Sequence, residues 1–367
     1  MTEEPYLDHP LMLIGSVPGE SAHEVMSLWG GTLGSRLGAL PDGETGYRRM
    51  WVEFLSFTVF HGNPGIETLS RPPPVDPDNP DDWRAAGDDW ISLDYEHGMW
   101  TFQVRDDARD LRFETLGYAR EACASYATFC ELREQGRLAP SLRFEVSIPL
   151  HDSGLRWSMT RASDVERLWQ PYTDAIEREI EAMLETIPAE DLLIQWDACA
   201  ETLAIDPGAA WYWTWQPEGN LIERFGRSVA TLSACVPDAV RLGIHLCYGA
   251  FRNQHLVEPQ DLGHCVTLAN TAAANAGRRL DYVHMPVPQN RDDDAYFAPL
   301  ADLDIGRTKL YLGLLHGEDL EANLRRVETA RRYASHFGVA TECGMGRVTA
   351  ANAPALLEAH RAVADNL

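Results

Sequence analysis

Two short apolar runs end in residues that bind soft metals. Residues 241–249, RLGIHLCYG, present His245 and Cys247 two positions apart, and residues 338–347, GVATECGMGR, present Cys343 just before a glycine. In a β-strand, positions i and i+2 share a face, so His245 and Cys247 emerge side by side where the strand stops. Two thiolates and one imidazole suit zinc, with a fourth position left for water, a substrate or one more side chain. A lone strand-end cysteine is commonly a small buried hydrophobe. The HxC spacing together with a second strand-end cysteine favours the metal reading.

Other reactive groups stand in the same relation to other apolar runs. Asp42 and Glu44 sit in the turn cluster PDGETG, Asp197 closes LLIQWD, His284 lies in LDYVHM, and His316 follows KLYLGLL. His151 and Asp152 follow LRFEVSIPL.

The elements that must position these groups read as eight strands, at residues 11–17, 37–40, 142–150, 192–197, 241–247, 280–285, 309–315 and 339–343. Helical patterns separate them, including 48–60, 113–135, 163–186, 220–234, 259–276, 320–337 and 353–366. Ser163 and Glu166 are spaced to cap the third of these. Strands alternating with helices, without an internal repeat or interdomain linker, predict one α/β domain over residues 1–367, a (β/α)8 barrel. Barrel enzymes build their sites at strand C-termini, which is where the reactive side chains fall.

Residues 61–106 interrupt the alternation with RPPPVDPDNPDDW and with Trp83, Trp90, Tyr95, Trp100 and Phe102. This insertion reads either as an ordered cover over the barrel mouth or as a surface-anchored loop. The cluster WYWTW at 211–215 suits a pocket wall or packing between loops.

The chain has 367 residues, 31 Lys and Arg against 56 Asp and Glu, and a formal net charge of −25. That balance argues against nucleic-acid backbones and anionic membranes as partners. No apolar run is long enough to span a bilayer, and the acidic N-terminus lacks the basic region of a signal peptide, so a cytoplasmic protein is expected. Small molecules are the expected partners, and the sequence leaves open whether copies associate as a homo-oligomer. Seven scattered cysteines without a CxxC pair give no disulfide framework, and Cys123, Cys130, Cys199, Cys235 and Cys265 are assigned to the core.

The ordered segments IGS at 14–16, DGE at 42–44, IQWD at 194–197, IHLCYGAF at 244–251, LLH at 314–316 and ECGMGR at 342–347 span nearly the whole chain. In that order the chain resembles the catalytic, C-terminal barrel of cobalamin-independent methionine synthase. The wider superfamily includes uroporphyrinogen decarboxylase and epoxyalkane:coenzyme M transferase. The family's duplicated N-terminal barrel has no counterpart here. The resemblance implies zinc held by His245, Cys247 and Cys343, and the amino group of homocysteine held by Glu44 and Asp197. It places the backbone of Ile14, Gly15 and Ser16 at the homocysteine carboxylate and makes His316 the catalytic acid. The implied reaction is methyl or alkyl transfer to a thiol.

Two departures matter. The family's glutamate zinc ligand at the end of the sixth strand is replaced by HMPVPQNR, with His284 as the candidate substitute. The tryptophan that the family sets against a folate donor after the third strand is replaced by PLHDSG, with Trp157 several residues later. That departure weakens the case for folate and leaves the donor open between a methyl-folate, a methyl-corrinoid and, given the tryptophan-rich insertion, an aromatic or apolar compound. Two other readings stand beside thiol alkylation. One is a lyase or hydrolase in which a metal activates water, assisted by His151, Asp152 or His284. The other is a non-catalytic barrel with a structural zinc.

Overall fold

The computed structural model describes residues 8–71, 100–210, 215–249, 255–317, 320–346, 348 and 350–367. Trp83, Trp90, Tyr95, residues 211–214 of the aromatic cluster, Phe251 and Arg347 lie outside the described residues.

Seven strands form one parallel sheet: β1 (Ala39–Pro41), β4 (Arg143–Pro149), β5 (Leu192–Ala198), β6 (Arg241–Leu246), β7 (Tyr282–Pro286), β8 (Lys309–Leu315) and β9 (Phe337–Thr341), neighbours in that order. Most of their residues are apolar, with leucine prominent, and β4 to β8 are buried along nearly their whole length, as expected when helices cover one face of a curled sheet. One buried cluster, with Met12, Ile14, Ala39, Leu193, Tyr282, Tyr311 and Ala340, is separate from the large cluster between sheet and helices. The architecture is mixed α/β and barrel-like.

The expected first strand, residues 11–17, is not a ladder strand. It makes isolated parallel bridges instead, Leu11 to Leu37 at one end of the sheet and Leu11 to Val339 at the other, so the segment spans the two edges. Pro10 explains part of this, because it has no N–H to give a ladder. Its carbonyl accepts the Val339 N–H at 2.8 Å.

Within the expected insertion, β2 (Ile66–Ser70) and β3 (Thr101–Val104) pair antiparallel as a separate two-stranded sheet. The Phe102 N–H donates to the Ser158 carbonyl, tying this ribbon to the loop beyond β4.

Helices Tyr118–Glu134, Ala162–Leu184, Leu221–Ser233, Gly263–Asn275, Leu320–Ala330 and Ala353–Ala364 pack outside the sheet. The expected Ser163 cap is not formed. The helix begins at Ala162 after Arg161, and Asp164 is occupied by the Val104 N–H and the Arg161 guanidinium. Helix Leu320–Ala330 stops short of the expected residue 337, where β9 already begins. Among the described residues, no helix is long and apolar enough to cross a membrane.

Candidate active site

The C-terminal ends of β5, β6 and β9 open into one cavity. Its walls carry eight of the residues expected from sequence: Ile14, Gly15, Ser16, Glu44, Asp197, His245, Cys247 and Cys343. Parallel register sets Asp197 beside His245 across β5 and β6. The loops are held by backbone bonds: Val17 N–H to Gly43 O at 3.0 Å and Met345 N–H to Ser16 O at 2.6 Å. Gly344 makes that approach feasible, since a Cβ there would meet Ser16 Oγ at 2.3 Å and the Ile14 carbonyl at 2.8 Å.

One ligand atom each from His245, Cys247 and Cys343 lies within 4.8 Å of the others, and the two Sγ atoms are 3.3 Å apart. A tetrahedral zinc with bonds of about 2.3 Å to sulfur spaces two sulfurs roughly 3.8 Å apart, so the three donors fit zinc with sub-ångström adjustment. The imidazole chemistry agrees. His284 Nε2 faces the Thr341 carbonyl at 3.0 Å and so carries the proton. His284 is held neutral, its pKa lowered to about 3 by burial, so its Nδ1 is an acceptor. His245 Nδ1, 2.7 Å away, must then donate to it. Burial, with His284 and His255 nearby, holds the His245 pKa well below its ordinary value too. The result is an unprotonated Nε2 on His245, which is buried and has no hydrogen-bond partner.

His284 therefore stands behind His245 with both ring nitrogens engaged, and it is outside the three-residue donor group. Cys199, assigned to the core from sequence, lines the cavity and pushes the Cys247 thiol pKa up; burial adds to this, while contacts from Cys343 and the Gly249 N–H oppose it. Without a cation at hand, the Cys247 thiol stays protonated near neutral pH.

The carboxylates are unusual. Asp197 is raised to about 7 by burial, against hydrogen bonds donated by Trp51 Nε1 at 3.0 Å and Gln195 Nε2 at 2.9 Å. Glu53 is raised to about 7 by burial alone. Glu145, beneath the cavity, is raised by burial even though it accepts the Gly15 N–H at 3.3 Å. Trp51, Glu53 and Trp157 complete the wall and were not singled out from sequence as site residues. Trp51 and Glu53 fall in the expected 48–60 helix, which is broken into the short pieces Gly46–Met50, Glu53–Leu55 and Ser56–Phe60, and Trp157 follows the short helix His151–Leu155, so helical periodicity misleads about where these side chains point.

His316 does not line this cavity. It borders a separate one with Asp292, Arg325 and Arg326, and its Nε2–H donates to the Val287 carbonyl at 2.7 Å. Burial, then Arg326, lowers its pKa to about 3. Glu342 Oε2 is 3.7 Å from His316 Nδ1 and 3.2 Å from His255 Nε2. His151 is bonded to Ser228 and Thr173 and stacked on Trp169, while Asp152 is paired with Arg224. Neither lines the cavity, so the residues of the water-activating reading are not assembled there.

No protein-family model and no curated protein sequence matches the chain. Solved structures do. The chain is similar to a B12-independent methionine synthase from Shewanella sp. W3-18-1, determined in complex with selenomethionine, at 13% identity and a TM-score of 0.55, covering 99% of this chain and 96% of that one. A methyltransferase from Methanosarcina mazei is similar at 11% identity and a TM-score of 0.44, covering 97% and 95%. The fold is thus the methionine synthase-like barrel fold.

Proposed function

We propose that the chain is a zinc-dependent methyl or alkyl transferase acting on a small thiol such as homocysteine, on a (β/α)8 barrel closed by residues 11–17. The observation that carries this reading is the meeting of His245, Cys247 and Cys343 in the cavity that also holds Glu44 and Asp197. His245 Nε2 and the two sulfurs would hold the metal. When bound, zinc supplies a Lewis acid that lowers the pKa of a thiol presented to its open position, giving a nucleophile at neutral pH. Glu44 and Asp197 supply negative charge for the amino group of the acceptor, and the Asp197 carboxyl, raised to about 7, is charged once an ammonium sits beside it. The Ile14–Ser16 backbone, held at Gly43 and Met345, orients the acceptor's carboxylate.

The test is metal content by mass spectrometry with X-ray absorption at the zinc edge. Near one zinc per chain is expected, with one additional sulfur ligand on adding homocysteine. Cys247→Ser and Cys343→Ser should each abolish zinc retention. Full zinc occupancy in either variant would remove the site.

A further inference from the structure

We infer that the methyl donor is an onium cation, a quaternary ammonium or sulfonium compound, held between the indoles of Trp51 and Trp157 and the carboxylate of Glu53. This rests on the reading of the same cavity as a thiol-alkylating site. The two indoles line it as adjacent walls, ring centroids 5.9 Å apart and planes at 78°. Rings set near right angles offer a cation the start of an aromatic box, the arrangement that recognises methylated ammonium groups. Glu53 lines the cavity and makes no side-chain hydrogen bond or ion pair with any described residue. Glu53 is half-buried, and a carboxylate partly withdrawn from water without a partner gains from a cation bound beside it.

The backbone gives an independent sign. Among the described residues, Glu44 (φ 50°) and Trp51 (φ 51°) are the non-glycine residues with positive φ, and both form walls of this cavity. Left-handed backbone at a bulky indole persists only where its surroundings hold it, and such positions cluster at ligand clamps. The described lining residues include carboxylates and no Lys or Arg, a poor match for a polyanionic donor.

The chemistry is consistent with His316 facing a separate cavity. The thiol first ionises and its proton passes to solvent. The thiolate sulfur then forms a bond to the methyl carbon as the carbon–nitrogen or carbon–sulfur bond of the onium breaks. The bonding pair goes to nitrogen or sulfur, which leaves as a neutral amine or thioether and needs no proton. An anion and a cation become two neutral products, a reaction favoured by removal from water.

The test compares choline with its neutral isostere 3,3-dimethyl-1-butanol, titrated into the purified full chain while following tryptophan fluorescence and heat. Choline should bind about tenfold more tightly than the isostere. Trp51→Leu and Glu53→Gln should each remove most of that difference, whereas Trp51→Phe, which keeps a ring, should retain part of it. Equal binding of the two probes, or no choline binding, would overturn the inference. Zinc-loaded protein is then given trimethylsulfonium and homocysteine. Methionine and dimethyl sulfide in equal amounts are expected, and Cys247→Ser should form neither. If homocysteine adds its sulfur to the zinc but trimethylsulfonium yields no methionine, the donor class is wrong and the thiol reading survives. If choline binds but no zinc is retained, the thiol reading falls and the donor assignment falls with it.

Discussion

Glu53 lowers the stability of the fold at the pH where the site would work. Its carboxyl is raised from 4.5 to about 7 by burial. Between those values the folded chain holds a proton that the unfolded chain has released, so stability falls as pH rises through that window. The penalty is fully developed above pH 7 and absent below the unfolded pKa. Glu53→Gln should therefore stabilise the ligand-free chain by about 1 to 3 kcal/mol at pH 8, and by roughly half a kcal/mol or less at pH 4.5. Denaturant unfolding at the two pH values checks this, and an equal gain at both would show that charge is not the cause. The HxC spacing and a second strand-end cysteine marked His245, Cys247 and Cys343 as a group in the sequence, and the fold brings one ligand atom of each within 4.8 Å of the others. The core assignment of Cys199 holds, and that the same thiol also faces the cavity was not legible, because nothing in Asp-Ala-Cys-Ala at the end of β5 says what lies beside it until β6 is in place.

Parallel strand register is what joins distant residues into one hydrogen-bonded relay. His245 on β6 is opposite His284 on β7, and His284 reaches the carbonyl of Thr341 on β9, two residues before Cys343. The relay fixes the tautomer of His245 and aligns its strand with the one that delivers Cys343. Removing such an orienting partner commonly costs 10- to 100-fold in metal affinity. His284→Ala should weaken zinc by about that factor in a chelator competition, with the zinc-edge nitrogen count unchanged. Loss of a nitrogen ligand would instead make His284 a direct donor. Seven of the eight strands were readable from apolar runs, and the site could be placed at their C-terminal ends. Residues 11–17 read as a strand because they are apolar, yet apolarity reports burial and not ladder hydrogen bonds, and Pro10 limits the latter. Trp51 was not singled out, and Trp157 was noted without a place in the site, because turns and short irregular helices aim side chains by local φ and ψ, which spacing does not encode.

The molecule as a whole carries a formal charge of −25, and its candidate cavity adds Glu44, Glu53 and Asp197 to the same sign. A cleft of one sign with low-dielectric walls concentrates opposite charge and speeds its arrival. A cationic donor is drawn toward such a cavity, while an anionic one meets repulsion from the body of the protein before it meets the site. Screening separates this long-range effect from contact recognition, because the Debye length shrinks from about 30 Å at 0.01 M salt to about 3 Å at 1 M. Stopped-flow tryptophan fluorescence should therefore show the choline association rate falling several-fold between those salt concentrations. The dissociation rate should change less, since the indoles and Glu53 act at contact distance in a cavity that salt ions screen poorly. The neutral isostere should show neither trend. A choline association rate indifferent to salt would mean that the acidic surface serves solubility alone and that the aromatic walls select the cation unaided.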